Sequence, residues 1–319
     1  MRIQLVTPGP LRFNNGNKIT ALRWGGILRK LGHRVRLTQS YDGEFCGMLI
    51  ALHARRSAES IARFHRLYPK RPLVVVLTGT DLYRDIRTHR KAQRSLELAT
   101  RLVALQKMAL IELPKRYHSK TRVIYQSAPK IANRAAPRGQ GPFKVCVIGH
   151  LRAEKDPLRV ALAARRVPAA SRIQVTHIGR ALDDTLERRA RAEMKRNRRY
   201  RWIGEVSHGK TRSILAGSHL LVITSRMEGS SNVLSEALAS DVPVIASKIP
   251  GLMGTLGNAF PGFFPAGDTR RLTALLANAE TDRQFYALLK RTCKRLAPLV
   301  KPSREIGNWQ RMLRELDRL

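Results

Sequence analysis

Acidic residues are scarce: 23 Asp and Glu stand against 60 Lys and Arg in 319 residues, a formal net charge of +37. Such a surplus attracts anions, whether nucleic acid, acidic lipid or small phosphorylated substrates. The bases are spread along the chain, densest at 187–201 and 290–295, and are not gathered into a tail. Cysteine is also rare. Cys46, Cys146 and Cys293 are odd in number and far apart, which excludes a cysteine metal spacing and points to a reducing, cytoplasmic setting. No apolar run approaches the roughly 18 residues of a membrane span. The short apolar start is broken almost at once by Pro8-Gly9-Pro10, unlike a signal peptide. Aromatics are only 6%, yet hydrophobic residues make up 43%, too many for a disordered basic protein.

What is present is an alternation of strand and helix. Apolar strands are expected at 2–6, 35–38, 48–52, 72–77, 103–105 and 122–125, with helices at 20–31, 58–67 and 96–102. Three prolines and two glycines then interrupt the pattern between 127 and 142, a linker signal. Strands resume at 143–148, 172–178, 200–203, 220–224, 244–246 and 263–264. Helices are expected at 157–165, 182–196, 210–216 and 232–239, and three more close the chain. Continuous apolar strands separated by helices imply parallel sheets covered on both faces. The expected fold class is therefore α/β, with two facing Rossmann-like doubly wound domains. Residues 1–130 form the first, 131–142 the linker and 143–300 the second. A helix within 301–319 is expected to pack back on the first domain. Ligands of such sheets bind beyond the strand carboxyl ends, which puts the expected active site in the interdomain cleft.

The segment Ser225-Arg-Met-Glu-Gly-Ser-Ser-Asn232 runs from a strand end into a helix that carries Glu236. N–H groups at a helix N-terminus, here those of Gly229, Ser230, Ser231 and Asn232, suit an anion. Glu228 and Glu236 are eight residues apart, roughly 12 Å if both lie on one helix. So separated, they can hold hydroxyls on distant parts of an elongated ligand, such as a sugar and a ribose. The plainer alternative makes Glu228 a cap and Glu236 a surface residue. Pro243-Val-Ile-Ala-Ser247 and Pro250-Gly251 follow.

Together these residues resemble the donor-site signature of the family 4 glycosyltransferases. Phe143-Lys-Val-Cys-Val-Ile-Gly149-His150-Leu-Arg152-Ala-Glu-Lys155, Trp202-Ile-Gly-Glu-Val206 and Gly267-Asp268 extend the likeness over most of the second half. The resemblance implies a two-Rossmann, B-type fold and a nucleotide-sugar donor. Where the family has Arg after the glycine, this chain has His150. Arg152 and Lys155 are then expected to hold the diphosphate, a guanidinium fork and a point charge opposite a developing dianion.

Three polar clusters follow strands in the first half: Asn14-Asn-Gly-Asn17-Lys18-Ile-Thr20-Ala-Leu-Arg23, His53-Ala-Arg55-Arg56-Ser57, and Thr78-Gly79-Thr80-Asp81. All stand at strand carboxyl ends. They offer Lys18, Arg23, His53, Arg55 and Arg56 with three threonine hydroxyls, which suits a small anion better than a lipid tail. Ser57 and Asp81 are equally good helix caps.

Nearly end to end, the chain resembles the selenosugar synthase branch of selenoneine biosynthesis. The likeness is carried by Asn17–Trp24, Ala51–Ser57, Leu77–Ile86, Val123–Pro129, Gly149–Arg152 and Thr224–Glu228. The branch implies transfer of glucose or N-acetylglucosamine from a UDP-sugar to selenophosphate, with release of UDP and phosphate. The expected catalytic set is Arg152, Lys155, Glu228 and His53. The expected donor set is Gly149, His150, Arg152, Lys155, Glu228 to Asn232, and Glu236. The expected acceptor set is Asn17, Thr20, Arg23, His53, Arg55, Arg56, Thr78, Gly79 and Thr80. No Asp-x-Asp metal motif is present, so no metal or cofactor is expected, and neither is a nucleic-acid partner or integral membrane association. The sequence leaves the sugar, the stereochemistry and the oligomeric state open. The rivals are a family 4 enzyme acting on a lipid or polysaccharide, and a basic nucleic-acid-binding protein.

Overall fold

A computed structural model describes residues 1–9, 15–132 and 141–318. Pro10, Asn14 and most of the expected linker lie outside the described residues. Two compact units emerge. The first gathers Met1–Ser127, Glu228–Asn232 and Pro302–Leu319, and the second Ala128–Met227 and Val233–Lys301.

The first unit is built on six strands: β1 Arg2–Val6, β2 Arg34–Thr38, β3 Met48–Leu52, β4 Leu73–Leu77, β5 Arg101–Ala104 and β6 Thr121–Val123. Their order is β2-β1-β3-β4-β5-β6, and every pairing is parallel. β3 and β4 read Met-Leu-Ile-Ala-Leu and Leu-Val-Val-Val-Leu, buried at every position, as central strands covered on both faces must be. One face packs on Ile61, Phe64 and Leu96. The other packs on Trp24, Leu28, Trp309 and Met312, so the Pro302–Leu316 helix completes this unit's core. Trp24 and Trp309 meet edge to face at 4.8 Å.

The second unit repeats the plan with β7 Phe143–Ile148, β8 Ile173–Ile178, β9 Tyr200–Trp202, β10 Leu220–Ile223, β11 Val244–Ser247 and β12 Phe263–Phe264. The order is β12-β11-β10-β7-β8-β9, again all parallel. One continuous core runs through it. The order reverses beside β7 in this sheet and beside β1 in the first, and the strand ends at such switch points are where ligands of these sheets bind.

Several local expectations need correction. The helix expected at 96–102 is Arg90–Leu98, and Leu102 belongs to β5. Ala92, Ser95 and Leu96 form its buried stripe, a spacing that the apolar residues alone understate. Glu228 is not helical, because its helix starts at Asn232, so the two-turn estimate for the Glu228–Glu236 spacing does not apply. Between Asp81 and Asp85 the chain makes a π-helical turn where no element was expected. The Ser57 hydroxyl makes no cap bond; it donates to the Leu52 carbonyl at 2.7 Å.

Candidate functional site

The candidate residues group by unit. In the second unit, β7 ends at Ile148 and the chain turns through Gly149, His150 and Arg152 into a short turn containing Lys155. Gly149 is held from two sides. Its N–H donates to the Ile178 carbonyl at 2.9 Å, and its carbonyl lies 3.0 Å from Nε2 of His177. His177 is fully buried, with Nδ1 2.8 Å from the Tyr200 hydroxyl. Burial lowers its pKa to about 4, so the ring is neutral at pH 7. Gly179 packs against this turn, where a Cβ would stand 2.0 Å from the Gly149 oxygen; no other residue fits there.

His150 accepts the Arg180 N–H on Nδ1 at 3.0 Å, which gives the histidine a role in shaping the turn. The Thr224 hydroxyl donates to the Lys155 and Asp156 carbonyls at 2.9 and 3.0 Å, pinning the lysine segment to the end of β10. Arg152 stands 4.0 Å from Glu154 and keeps about half its side chain exposed, so it remains accessible to a ligand. The Trp202 indole donates to the Gly179 carbonyl at 2.8 Å.

Glu236 projects from the Asn232–Ala239 helix, its side chain 9% exposed, and meets Nε2 of His208 at 2.8 Å. His208 opens the His208–Ala216 helix, whose cap is Ser207. It was not among the expected site residues; the only sequence signal for it is the Ser207-His-Gly-Lys helix start.

In the first unit Glu228, Gly229, Ser230, Ser231 and Asn232 lie with the first-half clusters. Gly229 comes so close to Thr78 that a Cβ would stand 2.2 Å from the Thr78 oxygen. Asn232 accepts from Arg23 at 2.9 Å and donates to the Gly16 carbonyl at 3.3 Å. Glu228 is 8% exposed. It is one of the charges that, after burial, raise the pKa of Tyr83, and the Tyr83 hydroxyl in turn accepts from Gln106 at 2.9 Å.

Asp81 staples the ends of β3 and β4 together. Its carboxylate accepts the N–H groups of Ala54, Thr78 and Gly79 at 2.8–2.9 Å, tying the second and third clusters into one. His53 sits beside it with φ +72°, a left-handed conformation costly for a residue with a Cβ. The ring is 2% exposed and lies 2.9 Å from the Thr80 hydroxyl. Burial lowers its pKa, which Asp81 and Asp85 counteract. Its Nδ1 accepts the Arg56 N–H at 3.3 Å, so both ring nitrogens are engaged, one by Arg56 and one by Thr80. Arg55 pairs with Asp85 at 3.4 Å.

Thr20 and Arg23 are drawn into a second network. The Thr20 hydroxyl donates to the Gly16 carbonyl at 2.8 Å and accepts from Gln126. Arg23 lies against Glu305 at 3.0 Å. That carboxylate also accepts from the Trp24 indole at 2.6 Å and from Ser127. Glu305 neutralises Arg23, whose side chain is only 17% exposed, whereas Arg55 keeps 44% of its side chain exposed beside Asp85 and Arg56 makes no ion pair among the described residues, so these two are better placed to bring charge to a ligand. Asn17 lies half-buried in the first turn of the Gly16–Lys30 helix, which Asn15 caps by accepting the Lys18 N–H at 2.9 Å. No group of His, Cys, Asp and Glu among the described residues could hold a metal ion. Among the described residues no helix is long and apolar enough to cross a membrane.

Two parallel six-stranded sheets, each ending in polar turns at a switch point, define a two-Rossmann α/β protein. The family model for glycosyl transferases group 1 matches residues 130–295, just over half of the chain, and the chain belongs to that family. Among solved structures, the chain is similar to Anabaena HepE in complex with UDP and glucose, at 17% identity over 100% of both chains and a TM-score of 0.76. It is also similar to sucrose-phosphate synthase from Thermosynechococcus elongatus, at 15% identity over 99% of this chain and 98% of that one, TM-score 0.79. The lipopolysaccharide outer core galactosyltransferase WaaB matches at 12% identity over 99% of both chains, TM-score 0.69. These likenesses establish the B-type glycosyltransferase fold.

Proposed function

We propose that the protein is a selenosugar synthase, a UDP-sugar-dependent glycosyltransferase with selenophosphate as acceptor. Anabaena HepE holds UDP and glucose, and we extend that donor class to this chain. Arg152 and Lys155 take the diphosphate, aided by the N–H groups at Ser230 to Asn232. Glu236 holds the ribose, with His208 fixing its carboxylate, and Glu228 holds the sugar. The acceptor's phosphoryl group rests on Arg55, Arg56 and Thr80, with His53 orienting the threonine. The observation that carries the acceptor assignment is this cationic lining at the carboxyl ends of β3 and β4, where a lipid acceptor would require apolar surface.

In the reaction, the selenium lone pair attacks the anomeric carbon. The carbon–selenium bond forms as the bond to the UDP oxygen breaks, and UDP leaves with that electron pair. Water then cleaves the phosphorus–selenium bond and releases phosphate and the 1-selenosugar. Selenophosphate is already ionised, so no general base is needed to create the nucleophile. Catalysis reduces to placement and charge stabilisation.

Glu236→Ala should weaken UDP binding by about 1–3 kcal/mol, the range for hydrogen bonds to a charged group. Calorimetric titration with UDP checks this, and unchanged affinity in a folded variant would remove Glu236 from the site. Because Arg152, Lys155 and N–H groups are assigned to the diphosphate, EDTA should leave the transfer rate unaltered. A loss of rate that magnesium or manganese restores would count against that assignment. The acceptor assignment itself is tested by varying selenophosphate at saturating donor. Arg56→Ala should raise the acceptor KM or lower turnover by roughly thirty-fold, about 2 kcal/mol for a charge-assisted contact, with UDP affinity unchanged. Normal acceptor kinetics in that variant would move the phosphoryl site elsewhere.

A further inference from the structure

Beyond Arg55 and Arg56, the same end of the first sheet opens into a basin of about 660 Å³. Its walls add Arg84 from the π-helical turn and Arg90 and Lys91 from the first turn of the Arg90–Leu98 helix. One carboxylate, Asp85, lines the basin with these five cations. It is 1% exposed and already engaged by Arg55 and Arg84 at 3.4 and 3.3 Å. Lys91 reaches Glu59 at 3.2 Å, whereas Arg56 and Arg90 make no ion pair among the described residues. The helix start is arranged against its own dipole. His89 precedes it without a side-chain cap, no acidic residue lies in its first turn, and two cations stand where the macrodipole is already positive. An anion in the basin relieves both the dipole and the mutual repulsion of the bases.

Size narrows the ligand. A lone tetrahedral oxyanion fills a small part of a space within the roughly 300–1,000 Å³ range of small-molecule sites. We propose that the basin binds a small oligophosphate. One phosphate lies on Arg55 and Arg56, and the others reach Arg84, Arg90 and Lys91. Resting on the acceptor reading above, the first of these phosphates occupies the position of the selenophosphate phosphoryl group, so an oligophosphate inhibits transfer competitively against the acceptor.

Binding is measured by calorimetry on the whole protein without donor or acceptor, so it does not depend on the acceptor reading. Inorganic triphosphate should bind at least ten-fold more tightly than inorganic phosphate. The variant Arg90→Glu with Lys91→Ala should lose at least ten-fold in triphosphate affinity while keeping the wild-type melting temperature, since removing two cations there suits the helix dipole. A control on a basic helix of the second unit, Arg291→Glu with Lys294→Ala, should leave the affinity within two-fold. Equal losses in both variants would assign the binding to general surface charge and overturn the site. Triphosphate binding no tighter than phosphate would overturn it as well. ATP binding like triphosphate identifies a nucleotide-borne source, and triphosphate binding alone identifies a free one. If triphosphate binds as described but does not compete with selenophosphate, the basin stands and the acceptor position is wrong.

Discussion

Replacing Glu305 by alanine is expected to destabilise the first unit by about 3–5 kcal/mol, the range for breaking a buried ion pair. The carboxylate is fully buried and serves Arg23, the Trp24 indole and Ser127. Alanine removes the acceptor and leaves the buried donors without one, each loss adding a desolvation penalty. Arg23 is largely covered, with 17% of its side chain exposed, so its charge would lie mostly buried without an opposite charge. Trp24 donates to this carboxylate and packs edge to face on Trp309, so tryptophan fluorescence during urea unfolding, with Trp202 of the second unit replaced by phenylalanine, follows the event in the first unit. Glu305→Gln, which keeps the shape and one carbonyl acceptor, should lose markedly less. Equal, small shifts for both variants would reduce the network to packing.

Acidification is expected to weaken the second unit through His177. Its folded pKa, about 4, lies below the ordinary 6.5. Between those values the unfolded chain binds a proton that the folded protein refuses, so stability falls as pH drops. The contribution is fully present above 6.5, about 2 kcal/mol is lost by pH 5, and roughly 3 kcal/mol is lost near pH 4. The urea midpoint measured from pH 7 to pH 4 should show this slope in the wild type. His177→Gln, which cannot titrate, should flatten it. An unchanged slope in that variant would assign the acid sensitivity to other groups.

Much of this was legible because it is local. Leu73–Leu77 declares a buried parallel strand by composition alone, and the path from Gly149 to Lys155 can be read from one strand and the turn after it. Glu228, Gly229 and Glu236 could be singled out as a segment, but where the helix begins could not, because a loop of small residues carries no period. The remainder is set by contacts across the sequence. Arg23 and Glu305 are 282 residues apart, so nothing near Arg23 reveals that its charge is neutralised. Asp81 looked like a helix cap by residue type; its actual use, gathering N–H groups from two strand ends, depends on β3 and β4 being neighbours. His208 meets Glu236 only after two helices pack in the second unit. The basin needs Arg55, Arg84 and Arg90 from three separate elements, and a chain with bases everywhere gives no contrast from which to pick those three.

The most direct test of the selenosugar synthase reading is product formation. The protein is incubated with UDP-glucose or UDP-N-acetylglucosamine, with and without selenophosphate, and the products are resolved by mass spectrometry. The account predicts UDP, phosphate and a 1-selenosugar in equal amounts, and none of the three without selenophosphate. UDP release that ignores selenophosphate, or transfer of the sugar to a lipid or polysaccharide with no carbon–selenium product, would contradict it.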